Sequence, residues 1–208
     1  MVESQIRPNK VTDFAILEAF LDVPRERFVP EGRRGIAYVD EDLPVGGGRC
    51  LMEPMVLGRF LQQGGLMPED RVLIVGAATG YDAAVVSRVA KRVVALESDK
   101  ELALRARSAL ASVGATSVAV REGPLEAGWP DQAPYDLILF GGAVGAVPDA
   151  ITQQLAEGGR LLAVVKDGPG LGKATLFVKA RGAVSKRVLF DAGTVLLPGF
   201  APEPGFVF

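Results

Sequence analysis

The sequence predicts an α/β fold built on a doubly wound, mostly parallel seven-stranded sheet that ends in an antiparallel hairpin. Two patterns carry that expectation. Between residues 71 and 165, short and nearly continuous apolar runs alternate with segments of helical periodicity, as strands covered on both faces by crossover helices do. Beyond residue 173, two strand-like segments are separated only by a short turn at Gly182, so they should pair antiparallel. The 208 residues, 49% hydrophobic and 23% charged, suit one compact domain over 1–208. Within it, 1–65 reads as a helical and loop extension and 66–208 as the core.

The elements follow in order. Phe14, Leu17, Phe20 and Leu21 recur at helical spacing over residues 11–22, with Thr12 or Asp13 as N-cap and Pro24 closing the helix. Residues 25–48 are rich in glycine, proline and charge and read as irregular. A helix starts at Pro54, a favoured first-turn residue, and stops at Gly64-Gly65. Strands are expected at 71–75, 93–96, 117–121, 136–140 and 161–165, and helices at 81–90, 99–113 and 148–156. Residues 174–179 and 184–190 form the hairpin, and the apolar, Pro/Gly-rich stretch 196–208 should pack against the body or a partner.

Composition removes several classes of chemistry. With no histidine, Ser–His–Asp and Cys–His catalysis and His-ligated metal sites are excluded, and one cysteine, Cys50, forms neither an internal disulfide nor a multi-Cys zinc site. No metal is expected. The lone thiol suits a reducing compartment. A formal charge of −2 offers no basic excess to grip a nucleic-acid backbone. The charged N-terminus is unlike a secretory signal and no apolar run is long enough to span a membrane, so a cytoplasmic address is expected, with neither nucleic acid nor membrane as partner.

The chemistry-bearing segment is Gly76-Ala77-Ala78-Thr79-Gly80-Tyr81, between an expected strand and an expected helix. A glycine-rich turn there lets a ligand approach the backbone and its N–H groups. Glu97 ends the next strand roughly 20 residues on, where an acidic side chain accepts both hydroxyls of a ribose. Taken singly, such a turn is common in α/β proteins and Glu97 is a solvated strand end; together they point to a nucleoside. A dinucleotide site needs a third glycine where Tyr81 stands. The G-x-A-x-G spacing instead resembles the first motif of S-adenosylmethionine-dependent methyltransferases, with Ala78 for the middle glycine, at a cost of about 1 kcal/mol if φ is positive there.

Val23-Pro24-Arg25-Glu26-Arg27-Phe28-Val29-Pro30, Ala37-Tyr38-Val39-Asp40 and Leu43-Pro44-Val45-Gly46-Gly47-Gly48 resemble the N-terminal signature of protein-L-isoaspartate O-methyltransferases. Gly80-Tyr81, Pro134-Tyr135-Asp136, Gln154-Leu155 and Gly158-Gly159 continue the likeness in the same order, over roughly residues 11–165. The resemblance implies a Rossmann-like core that binds S-adenosylmethionine through Gly76, Ala77, Ala78, Thr79, Gly80, Glu97, Ser98, Gly123, Pro124 and Leu125. It makes residues 1–65 the substrate side and implies a peptide or protein carboxylate as acceptor, methylated at isomerised aspartyl residues to start repair; oligomeric state stays open. A carboxylate is already ionised at neutral pH and needs no general base, which agrees with the missing histidine. Enzymes that methylate amines or nucleic-acid bases usually carry an Asn/Asp-Pro-Pro-Tyr-type segment after the fourth strand, where this chain has Phe140-Gly141-Gly142-Ala143.

The chain also departs from the family pattern. Where the family reads Gln-Thr-Ile-Ser-Gln-Pro, this sequence has Arg49-Cys50-Leu51-Met52-Glu53-Pro54, so Cys50 and Met52 hold the catalytic hydroxyl positions. A hydrogen bond lost to a charged carboxylate is worth ~1.5–3 kcal/mol. Glu53 repels an incoming carboxylate, with Arg49 beside it as an offset. Where the family has Gly-Asp-Gly near the adenine, Gly123-Pro124-Leu125 offers no side-chain acceptor. Read for packing alone, Met52 and Cys50 are buried fillers, and Arg25, Arg27, Arg33, Arg34 and Arg49 are a solvated basic face; the alternative is that some of these arginines hold the carboxylate or an acidic segment of a protein partner. Two alternatives therefore stand beside the family activity: a changed acceptor, and a non-catalytic binding protein.

Overall fold

The computed structural model describes residues 1–201. After two short helical turns, Val2–Ile6 and Arg7–Asn9, comes α1, Phe14–Asp22. Of the two candidate caps, Asp13 accepts from the Ile16 N–H at 3.1 Å. The buried face of α1 carries Ile16, Leu17, Ala19 and Phe20, whereas Phe14 and Leu21 are 71% and 60% exposed. The expected stripe was therefore rotated: the N-terminal turns and α2 cover the helix on the Ile16 side.

Residues 25–48 are more ordered than their composition suggests. Two 3-10 turns, Arg25–Phe28 and Glu31–Ile36, lead to β1, Leu43–Gly46, which pairs antiparallel with β2, Arg49–Leu51. The alternation of buried Leu43 and Val45 with exposed Pro44 and Gly46 is the strand signal, too short to stand out in the sequence. α2, Pro54–Gly64, ends at Gly65 in the left-handed conformation, as its Gly-Gly stop predicts.

The main sheet uses β3 Arg71–Val75, β4 Arg92–Glu97, β5 Val118–Glu122, β6 Tyr135–Val144, β7 Leu155–Val165, β8 Gly172–Ala180 and β9 Ala183–Ala192, in the order β5-β4-β3-β6-β7-β8-β9. The first five are parallel; β8 runs antiparallel to β7 and β9 to β8. The crossover helices are α3 Tyr81–Val86, α4 Lys100–Ser112 and α5 Asp149–Thr152. α3 and α5 are shorter than expected. Gly158-Gly159 does not separate helix from strand but lies inside β7, which starts at Leu155.

Side chains of β3 alternate between two cores. Val72 and Ile74 join the N-terminal segment and α1 to α4, while Leu73 and Val75 face Leu125, Ile151, Leu197 and Phe200. The stretch after β9 returns along β6: Ala143 N–H donates to Val195 O, Leu197 N–H to Ala143 O, and Gly145 N–H to Phe200 O, all at 2.7–2.8 Å. Phe200 stands edge-on to Phe140, 5.5 Å between ring centres. The packing expected of the tail is seen at Leu197 and Phe200, and residues 202–208 lie outside the described residues. Among the described residues no helix is long and apolar enough to cross a membrane, and no His/Cys/Asp/Glu group is placed to hold a metal.

Candidate active site

In this order of strands the chain reverses direction across the sheet between β3 and β6, and a crevice beyond the carboxyl ends of strands at such a point is where ligands bind in open α/β sheets. The turn after β3 supplies one wall. Gly76, Ala78 and Gly80 all have positive φ, +80°, +48° and +90°, so Ala78 bears the strain that a Cβ brings there. The amides of Gly76 and Ala77 donate to Leu96 O, that of Ala78 to Glu97 Oε2 at 2.7 Å, and that of Gly80 to Ala77 O. Thr79 is buried and its hydroxyl donates to Phe28 O at 2.6 Å, tying the turn to the N-terminal segment rather than facing the crevice.

Glu97 ends β4, with its side chain fully buried. Its Oε1 accepts the N–H groups of Ser98 and Asp99 at 2.8 and 3.1 Å, and its Oε2 accepts Ala78 N–H and Arg49 Nη2, the latter at 3.0 Å. Arg49 was expected among solvated basic residues near the acceptor. It is 1% exposed and points instead into the turn. Burial pulls its guanidinium below the usual arginine range, countered by Glu97 and Asp99. A Cβ built at Gly76 would lie 2.6 Å from Arg49 Nη2 and 2.9 Å from Leu197 Cδ2. The crevice is equally tight on the β6 side, where a Cβ at Gly141 would meet Gly76 O at 2.3 Å and one at Gly142 would meet Leu197 Cδ2 at 2.6 Å. The Gly141-Gly142 pair is thus what lets β6 and the returning tail close on the turn.

The residue types that recognise a methyl-donor nucleoside are therefore in place, but the protein's own side chains engage them. Arg49 bonds Oε2 of Glu97, the oxygen that also accepts the Ala78 N–H, and Leu197 lies against Gly76. On the expected adenine side, Gly123 N–H donates to Glu97 O, Pro124 is exposed, and Leu125 is buried in the second core. None of the three presents a polar side chain.

On the acceptor side, Cys50 and Met52 are both buried, as their packing reading required. Burial and nearby Asp42 push the Cys50 thiol up. Arg25 is fully buried, donates to Met52 O at 2.8 Å and lies 4.6 Å from the centre of the Tyr81 ring. Arg25 and Arg49 thus leave the predicted solvated face, whereas Arg27, Arg33 and Arg34 stay on it. Asp40, Glu41, Asp42 and Glu53 line a cleft together with Lys166 and Thr194. Desolvation and the neighbouring carboxylates Asp40 and Asp42 raise Glu53. With Arg49 turned to Glu97, the offset expected for Glu53 is absent.

The sequence reading named Arg25 only within the basic stretch and missed Asp82 and Asp42 as parts of this region. Asp82 is buried in the first turn of α3 and burial lifts its carboxyl to about 6. A carboxylate directly after the glycine turn was the available signal for it. Asp42 accepts Glu53 N–H and the Thr194 hydroxyl, joining β1, α2 and the tail, and nothing local in the sequence marks that link.

With this geometry in view, the comparisons with known proteins agree. The family model described as Protein-L-isoaspartate(D-aspartate) O-methyltransferase (PCMT) matches residues 1–195. A protein-L-isoaspartate O-methyltransferase of Methylorubrum extorquens strain PA1 is 42% identical over 182 residues, 88% of this chain and 78% of its own length. One from Koribacter versatilis is 37% identical over 199 residues, 96% of this chain and 89% of its own. Among solved structures, a protein-L-isoaspartate O-methyltransferase superposes with a TM-score of 0.85 at 28% identity, covering 97% of this chain and 67% of that one. A Plasmodium falciparum protein described as a putative member, in complex with S-adenosyl-L-homocysteine, shares the fold with a TM-score of 0.79 at 19% identity, over 92% of this chain and 94% of its own. The chain belongs to the protein-L-isoaspartate(D-aspartate) O-methyltransferase family.

Proposed function

We propose that this chain is an S-adenosylmethionine-dependent methyltransferase that esterifies the carboxylate of isoaspartyl residues in peptides and proteins. The observation that carries the reading is the family match over residues 1–195, which spans the turn at Gly76, the carboxylate of Glu97 and the β2–α2 junction together. In this reading residues 66–208 form the donor side and residues 1–65 the acceptor side, in a cytoplasmic setting that suits the single thiol. An ionised carboxylate attacks without help from a base. The rate then rests on alignment and on excluding water. Arg25 serves alignment by holding the Met52 carbonyl at the β2–α2 junction.

Methyl ester formation on an isoaspartyl peptide, with the matching aspartyl peptide as control, tests the reading. The isoaspartyl peptide is expected to be esterified and the control left unchanged; no ester at saturating methyl donor overturns it. The acidic cleft lined by Asp40, Glu41, Asp42 and Glu53 favours a second reading, a methyltransferase whose acceptor is not an anion. Donor consumption with a neutral or cationic acceptor, and none with the isoaspartyl peptide, selects that alternative.

A further inference from the structure

The Arg49 guanidinium and the Glu97 carboxylate are unequally held. Glu97 has three backbone N–H donors of its own, from Ala78, Ser98 and Asp99, and keeps them whatever Arg49 does. Arg49 spends one N–H on Glu97, while its buried Nε and Nη1 have no partner among the described residues. A buried guanidinium with unmatched donors is costly to keep out of water. The carboxylate is thus built into the turn, and the arginine is held to it by a single charged bond.

The segment that delivers Arg49 is not paired into the main sheet. It is the second strand of a two-stranded hairpin apart from the main sheet, and Gly46, Gly47 and Gly48 before it all have positive φ, +106°, +58° and +69°. Leu197, on the far side of Gly76, arrives on the chain that follows the last strand.

We propose that Arg49 is a built-in competitor for the methyl donor: it occupies the oxygen of Glu97 that a ribose hydroxyl needs, and with Leu197 it keeps the turn closed until the β1–β2 hairpin lifts away. The proposal rests on the methyltransferase reading above and adds what governs access to that site. A ligand that binds only the open form has its affinity reduced by the fraction of molecules that are open. Removing the arginine charge raises that fraction without touching Glu97.

S-adenosylhomocysteine binding to the full chain, measured by calorimetry for wild type, Arg49→Gln and Leu197→Ala, tests this. Hydrogen exchange of residues 43–51 is followed in the same samples. Arg49→Gln is expected to bind at least about tenfold more tightly than wild type, a difference of about 1.4 kcal/mol. In wild type, ligand should speed exchange in the hairpin. Leu197→Ala opens the other side and should also tighten binding, which keeps the test alive if the first variant fails to fold. Equal affinity in wild type and variants, or no binding by any of them, overturns the proposal. Tight binding by Arg49→Gln with no ester on the isoaspartyl peptide upholds the competitor and sinks the acceptor assignment. Equal affinities with ester formed do the reverse.

Discussion

Arg49 Nη2 lies 3.0 Å from Glu97 Oε2, and neither side chain reaches solvent. The two residues come from different parts of the fold, β2 at the edge of the N-terminal segment and the last position of β4. Their contact closes the end of the sheet at which the topology places a ligand crevice. Because Glu97 is otherwise satisfied and Arg49 is not, removing either one leaves a different remainder.

That asymmetry sets the first prediction. Glu97→Gln strands a buried guanidinium and should cost ~3–5 kcal/mol, as breaking a buried pair does. Arg49→Gln leaves a carboxylate with its three N–H donors and should cost less than ~2 kcal/mol. Guanidinium or urea unfolding of the two variants measures the gap, and equal costs contradict the unequal holding described above.

Asp82 predicts a pH dependence. Its carboxyl rises from 3.8 to about 6 through burial, with Arg25 opposing and Asp42 reinforcing the shift. Between those values the folded chain holds a proton that the unfolded chain has released, so stability falls as pH rises through that window, by ~3 kcal/mol in all. Asp82→Asn should lack this slope and gain on wild type above the window. Parallel unfolding curves for both proteins across the range would count against a buried, proton-holding Asp82.

Arg160 predicts a structural weak point. Its guanidinium bonds Asp70, Gly64 O, Gly65 O and Asp136 O, joining the end of α2 to β6 and the turn before β3. Arg160→Ala should lower stability by ~2–4 kcal/mol, leaving Asp70 and the helix-end carbonyls short of donors. Arg160→Lys, a point charge in place of a fork, should restore only part. Full recovery with lysine, read from melting curves, would show that charge and not geometry matters there.

The acceptor positions give a gain-of-function prediction. Met52→Ser combined with Cys50→Thr returns hydroxyl donors beside an incoming carboxylate, and one charged hydrogen bond of ~1.5–3 kcal/mol corresponds to roughly ten- to hundredfold in rate. Ester formation on the isoaspartyl peptide should rise by that factor when measured in the Arg49→Gln background, where donor access is not limiting. An unchanged rate would show that hydroxyls at these two positions do not limit transfer.

Most of the sheet was legible before any coordinates. The runs 72–75, 93–96, 137–140 and 161–165 within β3, β4, β6 and β7 are continuously apolar because both faces are covered, and the turn at Gly76–Gly80 with Glu97 stands where strand ends must place them. The short helices α3 and α5 were overdrawn, and of the stripe expected on α1 Leu17 and Phe20 are buried while Phe14 and Leu21 are exposed. Periodicity reports which residues share a face, and Phe14 and Leu21 share one that is left exposed among the described residues.

By itself, then, the amino-acid sequence determined the α/β class, the turn and its facing carboxylate, and the family, because each depends on local spacing or on runs of residue types. Tertiary structure alone decided that Arg49 and Arg25 are interior, that burial lifts the Asp82 carboxyl from 3.8 to about 6, and that Leu197 returns to the turn. These are contacts between segments separated by tens to more than a hundred residues. An arginine in a glycine-rich loop looks the same in sequence whether it faces water or a buried carboxylate; only the packing of β2 and the tail against β3 and β6 removes the water and makes the difference.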